Sequence, residues 1–176
     1  MDAGSSKRIF SLEINGTWKV VSISKARSKI LPGTWVFRRK RTPDGEISKY
    51  KACYWHCVQG DLEETNPETF VPVVAWSTVR LFLILALTLG WDNCSIDFSS
   101  AFVQAKLEEP VWIHSPRGFK AAEGQGYCLQ LEKSLYGLTV APQLWYEHVT
   151  EALLSQGFKT CTIDPCLLYS DTMICE

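Results

Sequence analysis

Residues 34–53 read TWVFRRKRTPDGEISKYKAC, and the Pro43-Asp44-Gly45 turn in their middle constrains the fold more than any other stretch of the chain. Thr34–Arg41 and Glu46–Cys53, on either side of it, are rich in β-branched and aromatic residues. Together they predict two antiparallel strands folded back on one another. A two-residue period then puts Trp35, Phe37 and Arg39 on one face and Val36, Arg38 and Lys40 on the other. The cations therefore do not segregate to one clean side, and the hairpin is basic as a whole.

The rest of the chain supplies both helical and strand patterns. Residues 5–14 predict a short helix ended by Asn15-Gly16, and Thr17–Ser22 a strand. Gly60–Glu68 reads as loop, and Pro67 and Pro72 bracket an extended piece. Ser77 or Thr78 suits the cap of a helix that runs to Leu89 with Gly90 just beyond; its nearly all-round apolar character predicts burial. Asp92–Phe98 reads as a central strand, Ser99–Lys106 as a short helical turn, and Pro110–His114 and Tyr127–Leu131 as further strands. Pro142 opens an amphipathic helix, with Trp145, Val149, Ala152 and Leu153 at helical spacing, that Gly157 terminates. Cys166–Tyr169 and Thr172–Cys175 predict strands around a Ser170-Asp171 turn. The pattern is α+β, with a mixed or antiparallel sheet and packing helices.

Charge divides the chain more sharply than its net value of −1 suggests. Residues 1–60 hold 12 Lys and Arg against 4 Asp and Glu, whereas residues 61–176 hold 6 against 15. A basic part can neutralise phosphates and an acidic part can hold divalent cations, so the linear organisation expected is a basic region over 1–75 followed by a second region over 76–176. The longest apolar run, Leu81–Leu89, is far short of the roughly 20 residues of a bilayer helix, and the N-terminus has no apolar stretch of signal length. An intracellular protein with no membrane partner is expected. The seven cysteines show no CxxC pair, which argues against a disulfide framework. Cys53, His56 and Cys57 are close in sequence, but no second ligand pair follows at finger-like spacing.

The stretch CSIDFSSAF, residues 94–102, closes a short apolar run on one carboxylate, Asp97, and continues with small residues and Phe102. A carboxylate so placed can bind Mg²⁺ while the amides of small residues approach a triphosphate. The same pattern also suits a helix cap or a turn, and by itself leaves these open.

Its company narrows the choice. NGTWKVV (15–21), TWVFRRKRTPDGEISKYKA (34–52), ETFVPVVAWSTVR (68–80), IDFSSAFVQAKLEEPVWIHSPRGF (96–119), LEKSLYGLTVAPQLWYEHV (131–149) and GF with DPCLLY (157–169) follow one another in the order of a known family. Together they resemble the reverse transcriptase of copia-type LTR retrotransposons. The resemblance implies an RNA-directed DNA polymerase with a right-hand fold, here the fingers and part of the palm. Such an enzyme uses two Mg²⁺ ions to join a primer 3′-hydroxyl to the α-phosphate of a dNTP on an RNA or DNA template–primer. It also implies a parent polyprotein with integrase and ribonuclease H, and a cytoplasmic virus-like particle.

Carried over to this sequence, Asp97 matches the first catalytic aspartate and metal ligand. Phe98, Ser99, Ser100 and Ala101 match the segment whose backbone lies along the triphosphate. Phe102 matches the steric gate against a 2′-hydroxyl, Lys51 a basic fingers position near the phosphates, and Tyr136 with Gly137 the element lining the nucleotide pocket. In a packed core the same aromatics would be plain core residues, and Lys51 a solvated strand lysine. The chain also departs from the family. Cys53 and Gln143 stand where the family has arginines and Gln59 where it has a basic residue, and a thiol cannot replace a guanidinium fork. The Tyr-X-Asp-Asp hairpin that supplies the family's other two catalytic carboxylates is not among the 176 residues. The expectation is a fragment that does not polymerise by itself; the alternative is a non-catalytic nucleic-acid-binding module.

Overall fold

In the computed structural model, which describes residues 3–55, 70–116, 119 and 126–175, helix α1 spans Ala3–Ile14 and ends where Asn15-Gly16 predicts. Gly16 takes φ +59°, and the Gly16 and Thr17 N–H groups reach back to the Glu13 and Leu12 carbonyls at 2.8 and 3.0 Å. Strands β1 (Trp18–Ser22), β2 (Thr34–Arg41) and β3 (Ile47–Trp55) follow. Helix α2 is Trp76–Leu89, β4 Lys106–Ile113, β5 Tyr127–Lys133 and α3 Ala141–Ser155. Three two-residue strands close the chain: β6 (Lys159–Thr160), β7 (Leu168–Tyr169) and β8 (Ile174–Cys175). The α+β expectation agrees with these mixed helices and antiparallel strands.

The chain divides into two compact units, one from residues 1–69 and 100–144, the other from 70–99 and 145–176. Each is discontinuous in sequence.

In the first unit β5 is the centre of a three-stranded antiparallel sheet, ordered β1-β5-β4. Trp18 pairs with Leu131 on one side and Ile113 with Leu129 on the other. A strand paired on both edges is shielded best, and Cys128, Leu129 and Leu131 are fully buried. Ile9 and Leu12 of α1, Val103 and Leu135 complete the same core, with Phe119 set edge-on to Trp18 at 5.8 Å.

The basic hairpin is the antiparallel β2-β3 pair, with Trp35 and Phe37 stacked on one face at 6.1 Å as the alternation predicts. Its turn is closed by Gly45 N–H to the Thr42 carbonyl at 2.9 Å, with Gly45 at φ +86°. The expected loop at Gly60–Glu68, and His56 and Cys57, lie outside the described residues.

The second unit holds α2, most of α3 and the β6-β7-β8 meander. Gly90 ends α2 at φ +69° and Gly157 takes φ +89° just past α3, both as expected. Three expectations fail here. Asp92–Phe98 is an exposed segment with no strand, because no described strand lies beside it to complete a hydrogen-bonded ladder. Helix α2 buries only Ala86, while Trp76 and Leu87 are 76% and 82% exposed; an apolar surface states what it prefers to touch, and the unit covers little of it. The cap is neither Ser77 nor Thr78: Ala75 holds that position without a side-chain bond of its own.

The acceptor comes from far along the chain. Ala75 N–H and the Thr78 hydroxyl donate to one carboxylate oxygen of Asp164 at 3.2 and 2.6 Å, and Cys166 N–H donates to the other at 3.0 Å. The buried Asp164 thus meets orphan donors at the α2 N-terminus, where the helix dipole favours negative charge.

Candidate functional site

In the first unit, Phe102 lies in a single 3-10 turn, Ala101–Gln104, which Val103 anchors in the core at 1% exposure. Val103 N–H donates to the Ser100 carbonyl at 3.1 Å and Ala105 N–H to the Phe102 carbonyl at 3.3 Å. Ser100, which starts the turn, has φ +56°; it is the one residue other than glycine at positive φ among the described residues. For a side-chain-bearing residue that conformation carries strain and persists only where its surroundings hold it.

Tyr136 stands on a second turn, Leu135 to Leu138, closed by Leu138 N–H to the Leu135 carbonyl at 3.2 Å. Gly137 has φ +100° there, a position that favours glycine, and the two leucines are buried on either side. Between these buried leucines Tyr136 is 37% exposed. Ser134 N–H donates to the Ala105 carbonyl at 2.9 Å, so a main-chain bond ties the end of β5 to the residue just after the first turn.

The consequence is a two-ring wall. The Phe102 and Tyr136 rings lie 4.5 Å apart, tilted by 52°, with Phe102 half-buried against the core cluster. Arg8 of α1 joins them: its Nη1 donates to Ser100 Oγ at 3.1 Å and its Cζ lies 6.0 Å from the Tyr136 ring centroid. The structure thus brings together Ser100, Phe102, Tyr136 and Gly137, and adds Arg8, which the sequence pattern marked only as part of a helix.

Of the other candidates, Asp97, Phe98 and Ser99 belong to the second unit, where all three are exposed and the Phe98 ring meets Trp145 edge-on at 5.2 Å. Lys51 is in β3 opposite Arg38; its side chain lies outside the described part. Among the described residues no group of three or more His, Cys, Asp or Glu side chains could hold a metal ion. Asp97 would give a metal one carboxylate, and these residues do not make up the ligand set for two ions. No helix among them is long and apolar enough to cross a membrane.

Comparison with known proteins decides what this arrangement belongs to. The family described as reverse transcriptase (RNA-dependent DNA polymerase) matches residues 15–171. The chain belongs to the copia-type reverse transcriptases. It is 34% identical over 162 residues to the retrovirus-related Pol polyprotein from transposon TNT 1-94 of Nicotiana tabacum, covering 90% of this chain and 12% of that protein. It is 31% identical over 156 residues to the retrovirus-related Pol polyprotein from transposon RE1 of Arabidopsis thaliana, covering 87% and 10%. The similarity extends to yeast, with 28% identity over 162 residues to the transposon Ty1-ER2 Gag-Pol polyprotein of Saccharomyces cerevisiae, covering 83% and 8%. This reverse transcriptase domain spans about a tenth of the length of the curated relatives it matches. No solved structure matches it.

Proposed function

We propose that this domain forms nucleotide-facing and template-facing surfaces of an RNA-directed DNA polymerase, as a segment of a larger Pol polyprotein. The basic hairpin plays the part of fingers toward the template, and residues 76–176 supply part of the palm. The observation that carries this reading is the Phe102–Tyr136 ring pair at 4.5 Å, on two turns tied by the Ser134–Ala105 bond. A flat aromatic edge held on rigid turns can pack under a deoxyribose and clash with a 2′-hydroxyl. In this reading Ser100 and Ala101 are the residues that approach a triphosphate, and Asp97 is a carboxylate for a metal. Divalent metal supplies charge neutralisation at the phosphates in this chemistry. One carboxylate does not complete that site, so the 176 residues alone bind substrates without joining them.

The gate can be tested by equilibrium binding of a deoxynucleoside triphosphate and the matching ribonucleoside triphosphate in Mg²⁺ buffer. The intact domain should prefer the deoxy form by roughly tenfold or more, the size of a steric penalty of one or two kcal/mol. Phe102→Val should bring the two affinities to within roughly twofold, a residual of about 0.4 kcal/mol. Equal affinities in the intact domain, or a preference that survives Phe102→Val, would remove the gate from this reading.

The second reading, a nucleic-acid-binding module without catalysis, is favoured by one feature. Arg38, Arg39, Lys40 and Lys49 are exposed on the hairpin, and none has a carboxylate partner among the described residues. Both readings place a polyanion on that surface.

A further inference from the structure

Arg8 lies outside the 15–171 stretch that matches the reverse transcriptase family, and its contacts fall on residues flanking Phe102. Its helix is firmly placed. Ile9 and Leu12 are 6% and 1% exposed in the core, so the α1 backbone that carries Arg8 is fixed relative to the two turns. The side chain is half-buried, and its Nε is shielded from water with no acceptor among the described residues, an unfavourable place for a donor. Its two contacts are what the position offers in return.

Those contacts bracket the gate. The Nη1 bond reaches Ser100 Oγ, two residues ahead of Phe102, at the strained φ +56° position from which the 3-10 turn departs. On the far side, the guanidinium plane lies over Tyr136, whose ring is the wall Phe102 leans on. A planar fork can hold both at once, whereas a lysine ammonium is a point charge at the end of a flexible stem.

We infer that Arg8 is a positioning residue of the nucleotide site, holding the Ser100 turn and the Tyr136 ring so that Phe102 distinguishes deoxyribose from ribose. This rests on the nucleotide-binding reading proposed above. It does not make Arg8 a phosphate ligand, and the two roles separate in one experiment.

The experiment is the same binding pair, deoxyguanosine and guanosine triphosphates in Mg²⁺ buffer, measured on the whole chain carrying Arg8→Ala, Arg8→Lys, Phe102→Val, or Arg8→Ala with Phe102→Val. A positioning role predicts that Arg8→Ala lowers the deoxy-to-ribo ratio by roughly threefold or more, the lower end of coupling between residues in contact. It also predicts that the same change leaves the ratio unaltered once Phe102 is valine. Arg8→Lys keeps the stem and the charge and should still lower the ratio; if the alanine variant fails to fold, the lysine variant decides. Equal weakening of both nucleotides with an unchanged ratio, as a phosphate contact would give, overturns the inference. So does a fall in ratio that persists without Phe102. Absence of any deoxy preference in the unmutated chain refutes the nucleotide-site reading before Arg8 is touched, and the inference with it.

Discussion

Changing Arg38, Arg39 and Lys40 together to glutamine is expected to weaken binding of an RNA–DNA primer–template roughly ten- to hundredfold at moderate salt, and to flatten the slope of log K against log salt by about three. The expectation comes from how the hairpin is charged. Across the β2-β3 register Lys40 faces Lys49 and Arg38 faces Lys51, and like charges directly opposite one another destabilise a strand pair. The salt bridge of Lys19 with Glu132 is elsewhere. Exposed cations set opposite one another, with no carboxylate partner for Arg38, Arg39, Lys40 or Lys49 among the described residues, are better explained by a polyanion they bind than by the stability of the hairpin. Fluorescence anisotropy across a salt series measures both quantities. An unchanged slope in the triple variant would move the template contact off this hairpin.

Asp164→Ala is expected to loosen the second unit, lowering the midpoint of its unfolding by on the order of 5 °C or more. Removing the carboxylate leaves Ala75 N–H, the Thr78 hydroxyl and Cys166 N–H without their acceptor at once, and orphaned donors cost more than a missing bond. Amide exchange should report the site directly, with the Ala75 and Cys166 N–H groups losing protection. The acid dependence follows from the same bonds. The Thr78 hydroxyl first, then the Cys166 and Ala75 amides, hold the Asp164 carboxyl below the usual carboxylate range. A carboxyl with a lowered folded pKa contributes stability that is complete above its unfolded value of about 3.9 and disappears as pH falls through the folded value. The gap between the intact domain and Asp164→Ala should therefore stay constant from neutral pH down to about 4 and narrow only below it. A gap that narrows already between pH 7 and 5 would assign the effect to another group.

Local chemistry explains which parts of this fold were legible. Asn15-Gly16, Pro43-Asp44-Gly45, Gly90 and Gly157 each demand a backbone conformation that few residues adopt, and each predicted boundary stands where the structure has it. The Trp35–Phe37 stack follows from the two-residue period alone. What failed depended on partners remote in sequence. Residues 92–98 have the composition of a central strand, but a strand exists only beside another. Helix α2 has the apolarity of a buried helix, but burial needs a covering surface. The acceptor at its N-terminus, Asp164, lies 86 residues from Thr78, beyond any reading of local capping signals. Of the residues that the family resemblance singled out, Phe102 and Tyr136 stand on two turns with their rings in contact. Arg8 was invisible because a lone arginine on an amphipathic helix carries no signal until the helix is docked.

Whether the 176 residues bind substrates without joining them is decided by RNA-templated primer extension with Mg²⁺, run where anisotropy in the same mixture shows the template–primer bound. The proposed role of Asp97, one carboxylate where two ions need several, leads to a bound duplex and no product above background. Extension above background that Asp97→Asn abolishes would contradict it.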